Sequence, residues 1–169
     1  MSKQTPEHAP EQAPNDYLQL ISQANEIFQQ QFPGMFTYNA IGSPRAGAVA
    51  KTANDLVSWI FFGTNNRVTA KLKYANGAFG QPVTIEHPLG VASIALPQGT
   101  IRLPKAIAIL NSKGYTSGFV SAGMGTPVVP QAQPMFWFCV NGMTQGVSAS
   151  TGEFFSDLFH CYPVETSED

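Results

Sequence analysis

Charge is the scarcest property of this chain. Asp, Glu, Lys and Arg make up 12% of its 169 residues, about half the roughly 25% usual in a soluble domain. The formal net charge is −2, and no cluster of Lys or Arg exists. That excludes an electrostatic nucleic-acid binder, which would show a basic face, and a polybasic lipid-binding patch. Long apolar runs are also missing. None approaches the ~20 residues that span a bilayer, so no membrane insertion is expected. The N-terminus MSKQTPEHAPEQAPND lacks the apolar core of a signal peptide. Localisation is therefore open, and cytoplasmic if the chain is full length.

Cysteine is nearly absent. Cys139 and Cys161 allow one disulfide, but Cys139 lies in an aromatic strand-like run. The expected state is a buried free thiol, which leaves the redox compartment undecided. Spaced metal ligands are missing as well. His8, His87 and His160 are scattered, and a His160–Cys161 pair would point to opposite faces of a strand. No metal or other cofactor is expected. A Cys139 or Cys161 nucleophile would need His87 or His160 as its base, and neither cysteine carries a local signature. The scattered carboxylates Glu26, Asp55, Glu86, Glu153 and Asp157 make no evident acid–base pair. The glycine segments AIGSPRAG and AGMGTP are followed by no Gly-Lys-Ser/Thr and open no helix, so they read as turns rather than phosphate loops.

What the chain has is an echo of itself. FTYNAIGSP (Phe36–Pro44) is answered by FVSAGMGTP (Phe119–Pro127). Each is preceded by an apolar-periodic stretch ending near a glycine, Gly34 or Gly114. Each is followed by a Trp-centred aromatic run, VSWIFFG at 57–63 and MFWFCVNG at 135–142. A recurring element order points to a duplicated unit. Hydrophobic residues at 43%, with 15 Gly and 13 Pro, supply a sizeable core and many turns.

The periodicity predicts the elements. Leu20, Ile21, Ala24, Ile27 and Phe28 form one stripe of a helix from Asp16 to about Gln31, stopped by Pro33-Gly34. Strands are expected at Met35–Ile41 and Val57–Phe62. In Arg67–Tyr74, Val68, Ala70, Leu72 and Tyr74 alternate with Arg67, Thr69, Lys71 and Lys73, which implies one face in water. Asn76-Gly77 and Asn141-Gly142 are hairpin turns. A second helix begins near Leu103, with Pro104 in its first turn and Lys113-Gly114 at its end. Strands follow at Phe119–Ala122, Met135–Val140 and Gln145–Ala149, and a last strand or short helix at Phe154–His160. The fold expected is α+β: two similar helix-plus-antiparallel-sheet units packed together. The segments are a disordered tail at 1–15, a first unit at 16–89, a connector at 90–102, a second unit at 103–163 and an acidic tail at 164–169.

The second half resembles a PepSY-type module. LPKAIAILNSKGY, the aromatic strand WFCV and a strand closing on STGE place Ala106, Gly114, Trp137, Ser150, Thr151, Gly152 and Glu153 at that family's characteristic positions. The first half is similar through Ala24, Gly34, Trp59 and Gly77 but lacks the Thr-Gly-Glu ending. PepSY-like modules are similar in architecture to the tandem modules of β-lactamase-inhibitor-type proteins. The resemblance implies binding, inhibition or regulation without catalysis, and it supplies no catalytic residues.

Neighbouring aromatics on a strand point to opposite sheet faces. One face packs on the helix. The other is covered by the sister unit, by a Gly-Pro loop or by a partner, and mutual cover by the two units is the plain expectation. An open aromatic face is the functional one. The function read from the sequence is non-enzymatic binding of a protein or peptide, through that face or the loops at 42–54 and 123–134. The expected contacts are Tyr38, Trp59, Tyr74, Phe136 and Trp137. The alternatives are a small-ligand pocket between helix and sheet, a cysteine-dependent hydrolase, and a bacterial immunity or effector-type protein. Oligomeric state is not legible.

Overall fold

The computed structural model describes residues 17–65, 67–85, 101–125 and 133–163. The expected tails, most of the connector and the central part of the 123–134 loop lie outside these residues.

Helix α1 spans Tyr17–Gln31 and buries Tyr17, Leu20, Ile21, Ala24 and Phe28. These are the expected stripe plus Tyr17, with Ile27 packed at its margin. Strands β1 (Phe36–Ser43), β2 (Ser58–Thr64) and β3 (Thr69–Ala75) follow as a meander. Short strands β4 (Ala78–Phe79) and β5 (Val83–Ile85) both pair with the outer side of β3. Helix α2 spans Leu103–Ser112, with Pro104 in its first turn. A second meander follows: β6 (Ser121–Gly125), β7 (Met135–Val140), β8 (Met143–Ser148) and β9 (Phe154–Phe155). Asn76 and Asn141 take φ of 54° and 51°, and the glycines after them take 78° and 81°. Positive φ at both central residues is what a two-residue hairpin of this twist requires.

The two meanders join through β1 and β6, which pair antiparallel from Asn39↔Gly125 to Gly42↔Ala122. Among the described residues the result is a single nine-stranded antiparallel sheet, with eight strands in the order β4-β3-β2-β1-β6-β7-β8-β9 and β5 paired to β3 off that path. The fold is α+β and mostly sheet. The halves therefore lie edge to edge, and neither covers the other's face. The expectation of mutual cover is corrected by this pairing: strand edges, not sheet faces, form the junction.

The register sorts every strand residue to one face. One row across the sheet reads Leu72, Phe61, Ala40, Met124, Phe136, Val147, Phe154. A second reads Tyr74, Trp59, Gly42, Ala122, Phe138. Apart from half-buried Phe154, these residues are buried, and they share one core cluster with Leu20, Ala24 and Phe28 of α1 and Ala106, Ile107 and Leu110 of α2. Both helices thus cover the same face. Gly63 marks how closely α1 approaches, since a Cβ there would stand 2.9 Å from the Phe28 ring. Asn25 of α1 also accepts from the Thr37 backbone N–H at 2.8 Å and from its hydroxyl at 2.7 Å. Among the described residues no helix is long and apolar enough to cross a membrane.

Tyr17 reaches over the junction. Its ring lies 5.4 Å from that of Trp59 on β2 and 5.8 Å from that of Phe136 on β7. Its hydroxyl is buried with no hydrogen-bond partner among the described residues, and burial pushes its pKa well above the ordinary tyrosine value. The fold therefore holds Tyr17 as the neutral phenol. An unfolded chain ionises near pH 10, so this stability term is intact below pH 10 and is lost as pH rises above it.

Two expectations follow. Phe61→Ala should cost about 3–5 kcal/mol, and Phe62→Ala less than half of that, because adjacent residues face opposite sides; urea midpoints at constant m measure both. Equal costs would refute the register. Tyr17→Phe should leave stability at pH 7 unchanged or raise it by up to about 1 kcal/mol, and should move alkaline unfolding to higher pH. A loss of stability at pH 7 would mean that the hydroxyl has a partner.

Candidate functional site

The face opposite the helices carries the remaining side chains. Its main row reads Lys73, Ile60, Ile41, Gly123, Trp137, Gly146, Phe155. The row beside it reads Lys71, Phe62, Asn39, Gly125, Met135, Ser148. Lys71, Lys73, Ile60, Phe62, Ile41 and Trp137 are all half-buried. Tyr38 stands at a register irregularity in β1, its ring 6.5 Å from that of Phe62. Partial burial pushes the Tyr38 hydroxyl pKa upward.

Glycines shape the middle of this face. A Cβ on Gly125 would stand 2.9 Å from the Trp137 indole, so the indole leans across Gly125. At Gly146 the nearest atoms belong to Leu158, at 2.8 Å, and Met135, at 3.0 Å. These side chains use the space that a β-carbon would fill. The C-terminal segment supplies the remaining cover. The ring of Phe159 meets that of Trp137 edge-on at 6.5 Å. Phe155, Leu158 and Phe159 are nonetheless 36%, 42% and 53% exposed, which is unusual for three large apolar side chains in one short segment.

That segment is clipped to the sheet. Leu158 N–H donates to the Thr144 carbonyl at 2.9 Å, and Thr144 N–H to the Phe159 carbonyl at 2.8 Å. Gln145 is 1% exposed; its Nε2 donates to Asp157 Oδ1 at 2.8 Å, and its Oε1 accepts from the Asp157 N–H at 2.9 Å. Asp157 itself takes φ of 50°, which ends the regular β9 pairing and redirects the chain. Cys139 and Cys161 form a disulfide. The expected free thiol at Cys139 is thereby corrected. Cys139 is buried as expected, but the continuation of the β9 segment runs back beside β8 and brings Cys161 to within a 5.8 Å Cα–Cα distance. With both sulfurs bonded to each other, no thiolate is present for the hydrolase alternative.

The expected contact residues divide between the two faces. Trp59, Tyr74 and Phe136 are 2%, 9% and 2% exposed and lie in the layer beneath the helices. Tyr38 and Trp137 lie on the face that neither helix covers. Phe62, Phe155, Leu158 and Phe159 join them there, and sequence reasoning missed these four. The disulfide was the signal that would have found the last three, because it fixes the segment bearing them over β7 and β8.

Among the described residues, clefts flank the sheet at two places. One of about 380 Å³ is lined by Arg45, Lys51, Asp55 and their neighbours in the β1–β2 loop. The Asp55 carboxylate there accepts from the Lys51 and Thr52 backbone N–H groups at 2.9 and 3.0 Å, and these bonds hold its pKa below the usual range. It caps a 3-10 turn, and its pKa moves away from that of a useful general base. The other cleft, of about 190 Å³, borders the disulfide beside Val49, Gly118 and Asn141. The β1–β2 loop is tied to the second half by mutual backbone hydrogen bonds between Ala50 and Phe119, at 2.8 and 2.9 Å. Among the described residues no three of His, Cys, Asp and Glu gather as a metal site would require.

No family model matches the chain, and no curated protein matches it. Among solved structures it is similar to a crystal structure of a "putative lipoprotein" from Clostridium difficile 630. The TM-score is 0.55 at 12% identity, over 80% of this chain and 89% of that one. At this identity the likeness concerns the fold.

Breaking the Cys139–Cys161 bond should cost about 3 kcal/mol, from closure of a loop with a sequence separation of 22. Urea midpoints of the oxidised protein and of Cys161→Ser measure this. Limited proteolysis of the variant should open first between residues 149 and 161. Cleavage that begins elsewhere would show that the segment is held without the disulfide.

Proposed function

We propose that this chain is a binding module that captures a protein or peptide on the helix-free face of its sheet. The observation that carries this reading is the asymmetry of the sheet. One face is sealed by two helices. The other presents half-buried Tyr38, Phe62 and Trp137, together with the more exposed Phe155, Leu158 and Phe159. Amphipathic aromatic side chains on rigid strands bury large areas at little entropic cost, which is why they dominate protein interfaces. Backbone pairing fixes the rows, so little ordering is needed on binding.

We further propose that the chain contains two diverged copies of one unit, a helix followed by an antiparallel meander. The element order in each half and the meeting of the two first strands, β1 and β6, support this. The same order supports the resemblance to PepSY-like and β-lactamase-inhibitor-like tandem modules, which is part of the proposal. The disulfide suits a protein that folds in an oxidising compartment, and the lipoprotein name of the similar structure agrees with that setting. Binding without catalysis is part of the proposal, as the resemblance implies.

The test is a peptide-display selection on the immobilised, oxidised protein. Enriched peptides should lose at least tenfold in affinity for Trp137→Ser and for Phe62→Ser. Their binding should slow amide exchange in β1 and β7. Peptides that bind both variants as well as the original protein would place recognition elsewhere and sink the sheet-face reading, and a selection that enriches nothing would count against it equally.

A further inference from the structure

The C-terminal segment lies along the outer edge of β8 and takes up the outward-facing backbone groups of that strand. Cys161 N–H donates to the Gly142 carbonyl at 3.0 Å, and Leu158 N–H to the Thr144 carbonyl at 2.9 Å. Thr144 N–H donates to the Phe159 carbonyl at 2.8 Å, and Ser148 N–H to the Glu153 carbonyl at 2.9 Å. Between these, Gly146 and Val147 pair with Phe155 and Phe154. Ser156 and Asp157 stand opposite Gln145 as a bulge that interrupts the ladder. Side chains add little to this hold. Leu158 enters the space over Gly146, and Phe159 meets the Trp137 ring, yet Phe155, Leu158 and Phe159 all stay exposed. The segment thus protects a sheet edge, as edge strands require, while burying little apolar surface of its own.

Its far end is fixed covalently. The Cys139–Cys161 bond borders the cleft of about 190 Å³ that Ser117, Gly118, Asn141, Gly142 and Pro163 help to line. Cys139 is buried, whereas Cys161 is half-buried, so a thiolate arriving through the cleft reaches the Cys161 sulfur first. We propose that this bond is a latch opened by a dithiol, and that the opened protein offers the β8 edge to an extended peptide strand of the pattern aromatic-x-x-Leu-aromatic. The first thiolate attacks the Cys161 sulfur; the Cys139–Cys161 bond breaks, and Cys139 leaves as the thiolate. The second thiol of the reductant then displaces Cys161 from the mixed disulfide. The protein gains two electrons and two protons, and the dithiol becomes a disulfide. Latched at both ends, the segment excludes a competing strand. Freed at Cys161, it stays tethered through the Thr151-Gly152 turn alone and can be replaced. The incoming strand gains affinity from the backbone groups of β8 and specificity from side-chain seats. Those seats are the hollow over Gly146, which takes Leu, and the edge of Trp137, which takes the aromatic ring after it, as Leu158 and Phe159 do now. The sheet-face reading concerns the latched protein and this inference the opened one, so each can fail alone.

Dithiothreitol on the full chain is the first probe. It should open both thiols to iodoacetamide while the amides of β1 to β3 stay protected, and amide exchange should rise at Thr144, Ser148 and Leu158. Loss of protection across the whole sheet, or unchanged protection at Thr144, overturns the latch. The labelled peptide EFFSDLFH, which copies residues 153–160, is the second probe and is read by fluorescence anisotropy. It should bind the reduced, alkylated protein at least about tenfold more tightly than the oxidised protein. The full-chain variant Cys161→Ser, Leu158→Ser weakens the tethered competitor and should bind the peptide too, which covers the case in which alkylation disturbs the edge. A twin peptide N-methylated at its Leu cannot donate to the Thr144 carbonyl and should lose at least about tenfold in affinity. Equal binding by oxidised and opened protein, equal binding of the N-methylated twin, or no binding to either opened form overturns the inference. The sheet-face reading is decided separately, by selection on the oxidised protein and the Trp137→Ser variant.

Discussion

Everything in this fold depends on the backbone pairing of β1 with β6. Each half is a four- or five-strand arrangement with one helix, and a sheet of that size leaves a long edge of unpaired N–H and C=O groups. Exposed edges invite association with other chains. Here the two first strands satisfy each other from Asn39↔Gly125 to Gly42↔Ala122, so the most central edges of both halves disappear. The pairing also sets the faces. Once β1 and β6 are in register, Ala40 and Met124 point the same way, and every row outward from them inherits that direction. Tyr17 then rests on Trp59 from one half and Phe136 from the other, which extends the union from backbone to core.

A period of two makes aromatic runs treacherous to align. The sequence sets Trp59 beside Trp137, as the centres of two matching runs. The register places Trp59 in the row of Gly42 and Phe138, under the helices, and Trp137 in the row of Gly123, away from them. The positions that share a face with Trp59 across the junction are Phe136 and Phe138. A one-residue displacement between the runs is invisible to a comparison of composition, yet it moves every side chain to the other face. The helices, the hairpin turns at Asn76-Gly77 and Asn141-Gly142, and the strand positions were legible because each rests on local chemistry. Which aromatics face the helices and which face away was not legible, since it is decided by pairing between strands about 80 residues apart. Three of the five expected contact residues were lost to the core for that reason. Thr69 shows the same effect on a smaller scale: the alternation puts it in water, but β5 pairs beside it and leaves it 2% exposed.

The C-terminal segment illustrates a different blindness. Phe154–His160 carries little periodicity, because its path follows no single element. It pairs for two residues, turns on Asp157 at φ 50°, and resumes against Thr144 and Met143. The Gln145 amide holds this turn from below through both of its polar atoms. A buried Gln with both groups satisfied by one residue locates that residue firmly. The disulfide then closes the path at Cys161. Local propensity favoured a buried thiol at Cys139; a covalent constraint between distant positions overruled it.

These constraints together explain why neither helix covers the aromatic face. Covering a sheet face needs a helix or a second sheet at about 10 Å, and both helices are committed to the opposite side. Bulky side chains alone are a partial remedy, and the chain uses them only where glycines make room, with Trp137 over Gly125 and Leu158 with Met135 over Gly146. On the β1–β3 side no such room is made, and Lys71, Lys73, Phe62 and Tyr38 stand on the strands directly. Among the described residues the second half is therefore roofed by its own C-terminal segment, whereas the first half carries Phe62 and Tyr38, ring beside ring at 6.5 Å, on the strands themselves.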